Sequence, residues 1–538
     1  MATYIRANAW NNGGTFDNTD LLWYAKGVGA MQARALSDTS SWWFFGAIHG
    51  EYVTPLSLQD PQAFPWADIP APFAVPTAPL PAQDVSDQYW DQCQHQTWYF
   101  PPWHRGYLLA LEAQVRADVI ALGGPSTWAL PYWNYFGPDQ EFTIPPAFTQ
   151  QNLPDGSPNP LYVTARYGPD SDGNIYIPTV AVIRQNPNDP NLAYGPVTQD
   201  SMSNDVYTGN DTNTPPPGFG GPDTGGFSHG GGTSGNLENN PHNLVHVYVG
   251  GTSPDGQTPG LMSVPALAGL DPIFYLHHAN IDRMWAVWNG NSADTNPTDP
   301  NWLSGPAAGG DREFVMPNPD GSSWVYTPQQ MSSLSQVNYT YDSLPAAAPA
   351  PAVLSERLMR LGAAPAKVKE AATQTAGKNV ELVGANQEAL PIKGSGALTT
   401  VRLNADVRRK VSASLAAAPE TGAPDRVYLN LENVRGSHDA SVLSVYINLP
   451  AGAKPSDHPE LLAGSVGLFG LRSASFKDGK HGGQGLNFVL EITKIIDALH
   501  LNNALDVDSL QVTIVPHRMV PDQAQITIGR VGIYRQGR

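Results

Sequence analysis

Apolar residues recur at helical spacing over residues 21–35, 41–49 and 103–122, and Gly123-Gly124-Pro125 stops the last stretch. Two further helical stretches are predicted at 239–249 and 271–288. Between them the pattern breaks. Residues 61–82 are proline-rich, and 137–235 are dense in Gly, Pro, Asn and Asp, so both read as loop, the second with short strands. From about residue 377 the period changes. Segments 427–431, 442–447, 486–492, 510–515 and 526–534 are strand-like between turn residues, which predicts an antiparallel β sandwich or barrel. Three parts follow: a mainly α domain at 1–345, an Ala/Pro-rich linker at 346–376 with a helix from 354 to 373, and a β domain at 377–538.

Composition narrows the partners. The 538 residues carry a formal net charge of −18, which argues against nucleic acid and anionic membranes. No apolar run reaches the ~18 residues of a membrane span. The opening residues lack a basic run followed by an apolar segment, so a soluble, cytoplasmic location is the expectation. The single cysteine, Cys93, excludes an intrachain disulfide framework.

Candidate chemistry lies in the 13 histidines. One cluster is His95 and His104 with His49 upstream, and the other is His242 and His246 followed by His277 and His278. Histidines at i and i+4 project from one helix face and can share a metal. Asn243 stands where a zinc protease would need Glu, which disfavours that chemistry. An all-imidazole set suits copper, zinc, iron or nickel, and spacing alone does not choose.

The longer context does choose. His95-Gln-Thr-Trp-Tyr-Phe100-Pro-Pro-Trp103-His104-Arg105-Gly-Tyr-Leu108 and Asp271-Pro272-Ile-Phe274-Tyr-Leu-His277-His278-Ala-Asn280-Ile-Asp282-Arg283 resemble the two copper signatures of tyrosinases, catechol oxidases and hemocyanins, in the family's order. The resemblance implies a four-helix bundle around two copper ions. His49, His95 and His104 would hold one and His242, His246 and His278 the other. His277 would stand just outside, fixed by Asp282 and Arg283. Cys93 and His95 match the Cys-x-His pattern in which fungal tyrosinases and molluscan hemocyanins form a thioether. The gap from His49 to His95 is wider than the family generally shows and holds the proline-rich stretch.

The implied activity is oxidation of o-diphenols by dioxygen, with ortho-hydroxylation of monophenols. A strict catechol or o-aminophenol oxidase is the alternative within the enzymes, and a hemocyanin-like oxygen carrier is the alternative outside them. Glu238 and Asn243 resemble the pair that holds a basic water in plant enzymes. Val247, Val264 and Pro265 fall near the family's gate position. Residues 425–535 resemble the C-terminal domain of plant polyphenol oxidases, which covers the copper entrance. Leu468 and Phe469, between Gly467 and Gly470, are candidates for the covering loop. Asn338-Tyr339-Thr-Tyr341 resembles the paired-tyrosine motif closing the plant catalytic domain, with Arg6 as a cation–π partner.

Overall fold

The helix expected at 103–122 begins earlier, at Phe100, because Pro101 and Pro102 fill its first turn, where a missing N–H is harmless. It belongs to a computed structural model that describes residues 4–61, 63–180, 189–210, 214–224, 226–227, 232–291, 294–345, 350–365, 368, 379–477, 482–505 and 507–537. Five helices position the site: α1 (Thr19–Gln32), α2 (Trp42–His49), α3 (Phe100–Ala121), α4 (Leu244–Gly250) and α5 (Pro272–Asn289). Asn18 caps α1, Ser41 caps α2 and Asp271 caps α5, each side chain accepting an N–H of the first turn. A wide helical turn, Glu238–Asn243, precedes α4, because Pro241 cannot donate and Asn240 leaves helical geometry. In the described part of 137–235 the expected short strands are reduced to isolated bridges.

A buried charge cluster ties α3 to α5. Strand Tyr4–Arg6 pairs in parallel with Tyr339–Tyr341 and carries Arg6 into the core. Arg6 donates to Glu112 on α3 at 2.7 Å and to Asp282 on α5 at 3.2 Å, with its guanidinium 3.6 Å over the Tyr339 ring. Arg105 donates to the other oxygen of Asp282 at 2.5 Å, and Tyr339 and Tyr341 also donate to Asp282. Burial alone would raise the Asp282 carboxyl, but Arg105, Arg6 and the two hydroxyls hold it below the ordinary value. Asp282 therefore does not fix His277. Five residues along a helix turn the side chain well off the His277 face, and Arg283 is engaged with the Ser343 carbonyl.

Beyond the helical body, strands β1 (Asn379–Ala385), β2 (Ala397–Leu403), β3 (Arg426–Arg435), β4 (Val442–Ile447), β5 (Leu462–Gly467), β6 (Leu486–Glu491), β7 (Ser509–Pro516) and β8 (Thr527–Gly537) form one antiparallel sheet. Its order is β5-β4-β7-β2-β1-β8-β3-β6, and Leu390–Pro391 adds to β8. The end strands β5 and β6 come together without pairing, so the barrel is nearly closed. Leu429, Leu431, Val445, Ile514 and Val531 lie in its core.

The helices of this domain were not expected, the two longest being Ala405–Thr421 and Thr493–Leu501. Ala405–Thr421 buries only Val411, Leu415 and Ala418, a stripe too thin to read against its alanines and charges. Thr493–Leu501 runs on from β6 without a turn signal in the sequence. The linker also departs from expectation. Its helix spans Ala350–Arg360, and Leu358 and Leu361 enter the barrel core while Arg357 pairs with Asp497 at 2.8 Å. Most of the predicted helix beyond residue 365, and the run 346–349, lie outside the described residues. No helix among the described residues is long and apolar enough to cross a membrane.

Candidate dinuclear metal centre

Helix ends and one loop bring the histidines together. His49 is the last residue of α2, His95 lies in the loop before α3, and His104 is one turn into α3. His242 sits on the wide turn, His246 on α4, and His277 and His278 on α5. His49, Cys93, His95 and His104 form one buried group, and His242, His246, His277 and His278 a second; within each, the ligand atoms lie within 4.8 Å of one another. The groups face each other. His104 and His278 stack with ring centres 4.4 Å apart, and His95 and His242 are 5.5 Å apart. Phe100 and Phe274 wall the space, at 4.6 Å from His104 and 4.1 Å from His278. Each lies four residues before the histidine it touches, a spacing that could have flagged both from the sequence.

The donors fit a pair of metal ions. Nδ1 of His49, His104 and His246 each meets a backbone carbonyl, of Pro265, Phe100 and Met262, at 2.8–2.9 Å. Such a bond fixes the N–H on Nδ1 and leaves Nε2 as a bare lone pair. Nε2 of His278 lies 3.2 Å from that of His242 and 3.3 Å from that of His246. Lone pairs this close repel unless a cation sits among them, and donors about 2.0 Å from one ion would be spaced this way. His49 Nε2 has no other partner. Burial pushes His49 and His95 down to about 3 and the other four well below the ordinary value, so all six rings stay neutral, the form that binds metal.

Glu238 and Asn243 each stand at a ligand histidine. Glu238 Oε1 accepts from His95 Nδ1 at 3.0 Å, and both its oxygens accept from the Gln96 N–H. Asn243 Oδ1 accepts from His242 Nδ1 at 2.9 Å. Each thus orients one histidine, and the two rings are neighbours across the centre. Burial pushes the Glu238 carboxyl up to about 8. Cys93 is buried in the first group, and its recorded contact is with His104, Sγ to Nε2 at 3.4 Å.

The barrel reaches into this centre. The Phe469 ring stacks on His246 at 4.2 Å and 29°, and stands 5.8 Å from His242 and 5.7 Å from His95. Leu468 turns the other way, into the barrel core. Gly467 is required at the contact: a Cβ there would come within 2.9 Å of the Asn243 carbonyl oxygen. Pro265 lies beside this loop, facing Gly470, and its carbonyl holds His49. Val247 and Val264 are buried in the helical core.

Two facing groups of neutral imidazoles on a helical scaffold define a dinuclear metal centre. The common central domain of tyrosinase matches residues 39–291, which makes this a copper centre, and a domain of unknown function (DUF7868) matches 379–536. A tyrosinase of Hahella sp. (strain CCB-MM4) is 29% identical over 527 residues, 96% of this chain and 97% of that protein. The latent chloroplastic polyphenol oxidase of Prunus armeniaca is 34% identical over 227 residues, 39% of this chain and 32% of that enzyme. In fold, the chain resembles latent apple tyrosinase, with a TM-score of 0.55 at 21% identity, covering 100% of this chain and 98% of that one. Residues 39–291 thus carry the central domain of tyrosinase, and the chain is a copper oxidoreductase similar to tyrosinases and polyphenol oxidases.

Proposed function

We propose that the chain oxidises o-diphenols to o-quinones with dioxygen, hydroxylates monophenols at the ortho position, and is restrained by its own β domain. His49, His95 and His104 hold one copper, and His242, His246 and His278 the other. When bound, the pair supplies the oxygen-binding, two-electron chemistry. The observation that carries the reading is Phe469, an aromatic ring stacked on His246 where a phenol ring would lie. It excludes water and substrate alike while the barrel is docked.

Within the centre, Glu238 and Asn243 hold the rings of His95 and His242 and would together hold the water that takes a proton from an incoming phenol, Glu238 polarising it and Asn243 orienting it. These two duties separate experimentally. Losing a partner that only orients a ligand costs about 10–100-fold in metal affinity or activity, whatever the substrate. Losing a proton acceptor costs about 100-fold or more on the step that needs it. Glu238→Gln and Asn243→Ala should therefore lower monophenol hydroxylation more than catechol oxidation, measured as the ratio of initial rates. Equal losses on both substrates would reduce the two residues to supports for copper.

Cys93 is assigned a thioether to His95, as in relatives with Cys-x-His. Forming the bond between Sγ and a ring carbon removes two hydrogens, with dioxygen as the oxidant. The intact mass of the copper-loaded chain should be lower by two hydrogens, and no thiol should react after denaturation. A fully reactive thiol in active protein would rule the bond out; the recorded contact with His104 would then be the whole role of Cys93.

A further inference from the structure

Four histidines, not three, converge at the second group, and the fourth has no duty in the function proposed above. His277 is fully buried, and its ligand atom shares the 4.8 Å spread of His242, His246 and His278. Its nitrogens have no side-chain hydrogen-bond partner, and the His242 backbone is its one polar approach. The Tyr135 ring stands 5.8 Å away, and its hydroxyl is turned to Asn280 rather than to His277. A buried imidazole with an unused lone pair is destabilising, and an apolar side chain would fill the same space without that cost.

The direction of approach matters too. Phe469 covers His246, His242 and His95, whereas the ring contacts of His277 are with Tyr135 at 5.8 Å, His242 at 5.4 Å, His246 at 5.1 Å and His278 at 5.2 Å. With the barrel docked, Phe469 touches neither His277 nor His278, but His278 is walled by Phe274 and Phe100 whereas His277 is bordered by Tyr135 and the other histidines.

We propose that His277 is a capture ligand: the second copper is first held by His242, His246 and His277 and then passes to His278, its neighbour on α5. The transfer replaces one neutral imidazole by another, so no proton or electron leaves the site. The inference rests on the copper reading above, and the test separates the two.

Copper per chain is measured in the full-length protein after removal of unbound metal, with circular dichroism to check the fold. His278→Ala should still hold two coppers, trapped at the capture stage, while the double variant His277→Phe/His278→Ala should hold one. His277→Phe alone should reach two coppers but take up the second at least tenfold more slowly than the parent, a result that does not depend on the His278 variants folding. A single copper in folded His278→Ala, two in the double variant, or an unchanged uptake rate in His277→Phe would overturn the proposal. A parent chain that binds fewer than two coppers would overturn the copper reading itself, and this inference with it.

Discussion

Replacing Phe469 by alanine should raise turnover of a bulky phenol about 10- to 100-fold. The ring is buried against His246 and its neighbours, and burying such a side chain contributes about 1.5–3 kcal/mol. If that contact holds the barrel over the centre, losing it shifts the docked and open populations by the corresponding factor. Small catechols can slip past a partial cover, so their rates should rise less. Gly467→Ala should act in the same direction from the backbone, because its Cβ would press on Asn243. Cleavage in the linker should do likewise, and the packing of Leu358 and Arg357 on the barrel places the effective cut before Ala350. Unchanged rates on every substrate size in Phe469→Ala would make the barrel a stability element and not a lid.

His104→Ala should abolish catechol oxidation. An orienting partner such as Asn243 is worth about 10–100-fold, whereas His104 is a direct donor whose Nδ1 is already committed to the Phe100 carbonyl. Its own group holds no spare imidazole: among the described residues it otherwise offers His49, His95 and Cys93, and His278 across the centre is a ligand of the other group. The variant should therefore keep about one copper per chain and consume no oxygen with catechol, measured by metal analysis and an oxygen electrode. Full activity with half the metal would sink the ligand assignment.

The histidine clusters were legible because their carriers are legible. α2, α3 and α5 are apolar helices with readable starts at Ser41, Pro101-Pro102 and Asp271, and His242 and His246 keep a helical spacing even though a wide turn leads into α4. The paired tyrosines and Arg6 were legible too, as a contact across the whole helical domain. Less legible was everything that depends on a partner far along the chain. Asp282 lies on the same helix as His277, which invited a local pairing, but two buried arginines from Tyr4–Arg6 and α3 claim it. Glu238 precedes His242 in sequence yet binds His95. Leu468 and Phe469 are equally apolar, and only the barrel's direction decides that one enters the core and the other the copper centre. Ala405–Thr421 escaped because most of its surface faces solvent, so its buried stripe carries little periodic signal.

The most direct test of the central claim is quinone formation by the copper-loaded full-length chain, followed optically with a monophenol and its matching catechol before and after Phe469→Ala. The account predicts two coppers per chain, oxygen-dependent quinone from the catechol, slower quinone from the monophenol, and an increase in both when the ring is removed. Reversible oxygen uptake with no quinone from either substrate, in the open variant as in the parent, would contradict it and leave an oxygen carrier.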